Sequence, residues 1–201
     1  MMIYDITMEV REGMPTYPTD PRVEIKPFKK IPQNSSNVSR IVLGSHTGTH
    51  VDTKLHIQNG GWSMSKIPLD SFYGKCKVLD LTHCGKNLAA MNLERFDVKK
   101  GDIILLKTKN SLNIAKKFGK DCICLAEDAA DYLVERKIKT VGIDCLSIGN
   151  KEVHKKIINS GTIIFESLDL SKVKQGEYIF VGLPLKIDCD GAPARAILIE
   201  I

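Results

Sequence analysis

The chain has 201 residues, 43% of them hydrophobic and 26% charged, with a formal net charge of +5. That length suits one domain able to bury a sizeable core, and the composition is that of an ordinary globular protein. No run approaches the roughly 18 apolar residues that cross a bilayer, and the lysines are scattered among acids, as in Asp97-Val98-Lys99-Lys100-Gly101-Asp102, so neither a membrane nor a nucleic acid is an expected partner.

Met1-Met2-Ile3-Tyr4-Asp5 shows no basic segment followed by an apolar one, so no signal peptide is read and a cytoplasmic protein is expected. The six cysteines should then be reduced thiols. Cys122-Ile123-Cys124 is the one close pair, and its spacing is not that of a zinc finger. With Cys76 and Cys145 these cysteines lie in apolar runs, where inert buried thiols are expected.

In chain order, β-rich runs predict strands at residues 3–7, 23–28 and 38–45. Between the first two lies a loop, residues 12–21, carrying Pro15, Pro18 and Pro21; loops of this kind often line sites. A strand at 76–81, a short helix at 88–96, a strand at 102–108 and a short helix at 111–118 follow. Residues 127–137 place Ala130, Leu133 and Val134 on one helical face, with acids early and Arg136 and Lys137 late, as the helix dipole favours. Then come a strand at 140–144, a helix at Lys151–Asn159, and strands at 162–168, 178–185 and 196–201. Gly101-Asp102, Gly119-Lys120 and Gly176-Glu177 read as turns. The expected architecture is α/β, strand-rich, a single domain over residues 1–201.

One stretch carries three of the five histidines: Ser45-His46-Thr47-Gly48-Thr49-His50-Val51-Asp52-Thr53-Lys54-Leu55-His56. His46, His50, Asp52 and His56 stand at even offsets, which in an extended strand puts all four on one face. A helix would spread them over about 160°. Thr47, Thr49, Val51 and Thr53 also favour an extended chain. Gly48 on the same face leaves room between His46 and His50 for an ion. Two imidazoles and a carboxylate suit Zn²⁺, Mn²⁺ or Fe²⁺ with coordination positions left open. Without an ion, such a cluster would crowd polar groups with no return in packing.

This stretch resembles the signature HxGTHxDxPxH of the cyclase-like metal-dependent hydrolases, a family that includes bacterial kynurenine formamidase (arylformamidase) and isatin hydrolase. The likeness extends along the chain. Asp5-Ile6-Thr7 and Gly13-Met14-Pro15-Thr16-Tyr17-Pro18-Thr19-Asp20 resemble the family's opening strand and its GMPxWPGD loop. Ile164-Phe165-Glu166-Ser167-Leu168-Asp169-Leu170, Pro184-Leu185-Lys186 and Asp190-Gly191-Ala192-Pro193-Ala194-Arg195-Ala196 resemble its later strands.

The resemblance implies that His46, His50 and Asp52 hold one metal, with Asp52 bridging to a second. His154 and Glu166, at the family's spacing, would complete the second site, and His56 would be the catalytic proton donor and acceptor. Glu166 lies among Ile163, Ile164, Phe165 and Leu168, where a carboxylate needs a cation or a partner. Two Zn²⁺ are implied, with Mn²⁺ as the alternative. Tyr17, in place of the family's tryptophan, and Lys54, in place of its proline, are candidate substrate contacts; Lys54 meets either a substrate carboxylate or a neighbouring acid. His83 matches no ligand position and receives no role.

The implied fold is the swivelling β/β/α type, a curved β core flanked by helices, in a homodimer or homotetramer with a neighbour's loops near the site. The implied reaction is hydrolysis of a C–N amide bond in a small molecule by metal-activated water, aryl formamide first, with His56 moving the proton. Opening of a cyclic amide or lactone, as by isatin hydrolase, and a non-catalytic metal-stabilised binder of aromatic acids are the competing readings.

Overall fold

The computed structural model describes residues 1–113 and 122–201. The strands are β1 (Ile3–Asp5), β2 (Glu24–Lys29), β3 (Val38–Val42), β4 (His50–Asp52), β5 (Tyr73–Asp80), β6 (Asn87–Leu88), β7 (Ile103–Lys107), β8 (Cys124–Leu125), β9 (Thr140–Ile143), β10 (Ile163–Glu166), β11 (Gly176–Pro184) and β12 (Gly191–Glu200). The helices are α1 (Lys54–Ile57), α2 (Ala90–Leu93), α3 (Glu127–Glu135) and α4 (Lys151–Asn159).

Among the described residues, seven strands close into a barrel in the order β12-β11-β5-β7-β9-β10-β4 and back to β12. Closure works because β12 is ten residues long: its first part, Gly191–Pro193, pairs with β4, and its later part pairs with β1. Neighbours from β5 through β10 run parallel, joined by crossovers that carry α2, α3 and α4; the other pairs are antiparallel.

The apolar runs explain this layering. Ile103 and Leu105 of β7 point into the barrel with Val78, Phe165, Phe180 and Leu198. Ile104 and Leu106 point outward and pack with Leu133 of α3 and Val153 and Ile157 of α4. A parallel strand covered on both faces reads as an unbroken hydrophobic run, as this one does. Inside, Ala192, Ala194 and Ala196 of β12 leave space for Phe165 and Phe180, whose rings meet edge to face at 5.1 Å. Each large side chain buried here contributes about 1.5–3 kcal/mol, so the barrel is the rigid base on which the outer face is built.

Sequence and structure differ at several points. Gly176-Glu177 opens β11 rather than forming a turn, and β12 begins at Gly191, five residues before the run expected at 196. The short helix expected at 88–96 shrinks to α2, because Asn87 and Leu88 pair in parallel with Cys124 and Leu125. Of the helix expected at 111–118, the structure has a 3-10 turn at Lys109–Asn113; the remainder, and the Gly119-Lys120 turn, lie outside the described residues. α4 has the expected bounds, with the Asn150 side chain accepting from the Glu152 and Val153 amides at its start. No helix among the described residues is long and apolar enough to cross a membrane.

Candidate metal centre

His50 and Asp52 are two residues apart on β4 and project from one face, with Val51 on the other. Val51 enters the barrel beside Phe165 and Ala192, so His50 and Asp52 face outward, toward α4. The antiparallel register sets Glu166 of β10 opposite His50, and directly opposed residues share a face. His154 comes from the buried side of α4, next to Val153 and Ile157. Glu166 and the preceding loop at residues 144–150 lie at the carboxyl ends of parallel strands, where open α/β sheets bind their ligands.

The geometry is close. His46 Nδ1 lies 2.9 Å from Asp52 Oδ1, and His50 Nε2 lies 3.4 Å from both Asp52 Oδ1 and Glu166 Oε2. His154 Nε2 is 3.0 Å from Glu166 Oε1 and 3.6 Å from Asp52 Oδ2. Ligand atoms of His46, Asp52 and His56 fall within 4.8 Å of one another, and so do those of His50, Asp52 and Glu166. Asp52 is common to both groups. The structure thus divides His46 and His50 between two triads, with their rings edge to face at 5.0 Å, and brings His56 into the first.

The single extended strand expected over 46–56 is a correction. β4 has three residues; His46 precedes it in a turn and His56 sits in α1. Gly48 has φ +63°, in the left-handed region that a side chain disfavours, and this turn folds His46 back over β4. Gly48 leaves no gap for an ion, because a Cβ there would meet Val10 Cγ2 at 3.3 Å and Met14 Cε at 3.4 Å.

Hydrogen bonds choose which imidazole nitrogen faces the cluster. His50 Nδ1 donates to Gly48 O at 2.8 Å and His154 Nδ1 donates to Asn150 O at 2.9 Å. Each Nε2 is therefore left pointing at carboxylate oxygens, where a bare lone pair would be repelled unless a proton or a metal ion lies between. Asp52 Oδ2, fully buried, accepts no hydrogen bond, which a buried carboxylate oxygen tolerates poorly. An oxygen and imidazole donor set with one orphaned buried oxygen fits a divalent ion.

Without an ion, protons do that work. Burial pulls the His50 imidazolium toward deprotonation, but Asp52 and Glu166 outweigh it and hold its pKa up at about 10. His154 is likewise raised to about 9, chiefly by Glu166 working against burial. Burial would also raise Asp52 and Glu166, yet the histidines keep both carboxylates ionised, Asp52 well below its usual range.

Loading divalent ions near pH 7 should therefore release protons from His50 and His154, and in part from His46, where Asp52 also outweighs burial, and the affinity should rise with pH up to about 9–10. Unfolded imidazoles lose their proton near pH 6.5, whereas these folded ones keep it to about 9 and 10. Their contribution to the stability of metal-free protein is full below about pH 6.5, declines as pH rises and is gone above about pH 10. Melting curves of stripped and loaded protein from pH 6 to 10 check this; equal slopes for the two forms would refute it.

A cleft of about 440 Å³ opens over the cluster, lined among others by Tyr17, His46, His50, His56, His154 and Glu166. Tyr17 reaches it from the proline-bearing loop. Lys54 is not among the lining residues; it begins α1, and among the described residues Lys151 of α4 lines the cleft instead. His83 lies elsewhere, in a surface depression with Asp80, Thr82 and Arg95.

Asp190 was missed by sequence reasoning. Its Oδ2 lies 2.9 Å from His46 Nε2 and 3.6 Å from His56 Nδ1. The available signal was its place beside Gly191 in a segment with family likeness; nothing in the local pattern tied it to residues so far away in the chain.

A closed barrel carrying an outward-facing cluster of imidazoles and carboxylates suits a metal-dependent enzyme. The chain belongs to the cyclase family: the family model described as "Putative cyclase" matches residues 4–150. A kynurenine formamidase of Salinibacter ruber is 28% identical over 98% of this chain and 97% of its own length. A solved structure described as a potential metal-dependent hydrolase with cyclase activity is 39% identical, with TM-score 0.88 over 98% of this chain and 96% of that one. An isatin hydrolase bound to the product analogue thioisatinate shares the fold, with TM-score 0.84 at 20% identity over 99% of this chain and 92% of that one.

Proposed function

We propose that the chain is a divalent-metal-dependent hydrolase cleaving the C–N bond of an amide, with aryl formamides as its first substrate class. The observation that carries this is Asp52, a buried carboxylate common to two triads with one oxygen unpartnered, beneath a cleft of about 440 Å³. The ligands are His46, His50, Asp52, His154 and Glu166, and the ions two Zn²⁺, with Mn²⁺ the alternative. The likeness to kynurenine formamidases supports the substrate class. The same likeness supports a barrel of the swivelling β/β/α type. Homo-oligomers are supported by the apolar Phe28 and Ile41 that β2 and β3 leave exposed.

Held by His46, His50, Asp52, His154 and Glu166, a divalent ion would supply Lewis acidity for the amide carbonyl and for a water. The chain's own side chains supply the rest. His56, exposed in the cleft with its ring 4.1 Å from that of His46, accepts a proton from the attacking water and delivers it to the departing amine. Tyr17 offers an aromatic face to the aryl ring. His50 and His154, tied by Nδ1 to backbone carbonyls, keep the ligand set from rotating.

The test is metal analysis followed by parallel assays on N-formylkynurenine, formanilide and isatin. Stoichiometric metal, formate release from the formamides and loss of both on chelation are expected. Faster opening of isatin would move the assignment to cyclic amides. Bound metal with no turnover on any amide would leave a binding protein.

A further inference from the structure

We propose that Asp190 is a positioning residue for the candidate metal centre, its carboxylate setting the orientation of both His46 and His56. The inference rests on the metal-dependent reading above.

His46 is held from both sides: Nδ1 lies 2.9 Å from Asp52 Oδ1, and Nε2 lies 2.9 Å from Asp190 Oδ2. With Nε2–H donating to Asp190, Nδ1 is the nitrogen left for an ion beside Asp52. This is the carboxylate–imidazole arrangement that fixes tautomer and ring angle in metal sites. The same Oδ2 stands 3.6 Å from His56 Nδ1, beyond hydrogen-bond length but within a small rotation of an exposed ring. Closing that gap would commit His56 Nδ1–H to Asp190 and aim Nε2 at substrate. One oxygen thus serves two rings whose centroids are 4.1 Å apart.

The surroundings are shaped for this contact. A Cβ on Gly191 would come within 2.6 Å of His46 Cε1, so the glycine after Asp190 is what lets the ring lie against β12. The backbone of Asp190 does a separate job: its carbonyl accepts from Thr53 N at 3.2 Å and Thr53 Oγ1 at 2.7 Å, pinning the loop before β12 to the start of α1. Side-chain substitutions leave those two bonds intact, so the orienting role can be tested without dismantling the loop.

The experiment is calorimetric titration of Zn²⁺ into stripped wild-type, Asp190→Ala and Asp190→Asn proteins, with melting curves of the metal-free forms and kcat and KM of the loaded ones. Asp190→Ala should bind Zn²⁺ about 10–100-fold more weakly. Asp190→Asn, which keeps an acceptor oxygen for His46, should recover to within about threefold of wild type. In the loaded alanine variant kcat should fall while KM stays put. Alanine and wild-type proteins binding Zn²⁺ equally would overturn the proposal, as would an asparagine variant no better than alanine. Wild-type protein that takes up no Zn²⁺ would instead overturn the metal reading beneath it.

Discussion

Asp52→Asn should abolish metal binding and lower activity by at least about 10³-fold, a loss of about 4 kcal/mol in transition-state stabilisation. The size follows from position. Asp52 belongs to both triads, so one substitution removes a ligand from each, whereas a change at His46 or His50 disturbs one. The shape of asparagine is nearly the same, which leaves charge as the variable. Asp52 is also the partner that keeps the buried His50 imidazolium in place when no ion is bound. Breaking a buried ion pair from one side costs about 3–5 kcal/mol, so metal-free Asp52→Asn should melt well below metal-free wild type. Elemental analysis that finds stoichiometric metal in this variant would end the assignment of Asp52 as the shared ligand.

His56→Ala should behave in the opposite way, keeping its metal and losing about 10²–10⁴ in kcat, the usual worth of a positioned acid/base. His56 is exposed, sits in the cleft, and stands 3.6 Å from Asp190, whereas His50 and His154 are each held by a hydrogen bond of 2.8 or 2.9 Å to a backbone carbonyl. Those features suit a group that must meet substrate and exchange protons with solvent. Yet its ligand atom comes within 4.8 Å of those of His46 and Asp52, so the metal content of the variant decides between two roles. Full metal with little turnover makes His56 the proton carrier; lost metal makes it a ligand and puts the base elsewhere.

How much of this was legible beforehand differs by element. The hydrophobic runs at 102–108, 140–144 and 162–168 revealed β7, β9 and β10, because strands covered on both faces announce themselves by composition. α4 was expected at Lys151–Asn159 and has those bounds, while its Asn150 cap came to light only in the structure. β6 and β8 did not show, since two-residue strands have no period to read. The even offsets of His46, His50, Asp52 and His56 pointed to a cluster, but for a partly mistaken reason: only His50 and Asp52 share a strand face, and a glycine turn and α1 bring the outer two back.

The sequence alone determined the inventory and the short-range order: which imidazoles and carboxylates exist, which stretches are strand or helix, and that β4 presents His50 and Asp52 together. Only the tertiary structure decided that Glu166 stands opposite His50, that β12 closes the barrel against β4, that Lys151 rather than Lys54 lines the cleft, and that Asp190 reaches His46 and His56. The physical reason is that periodicity reports which face a side chain takes on its own element. Strand pairing is a contest among distant segments for backbone hydrogen bonds and buried area, and its outcome sets which faces meet.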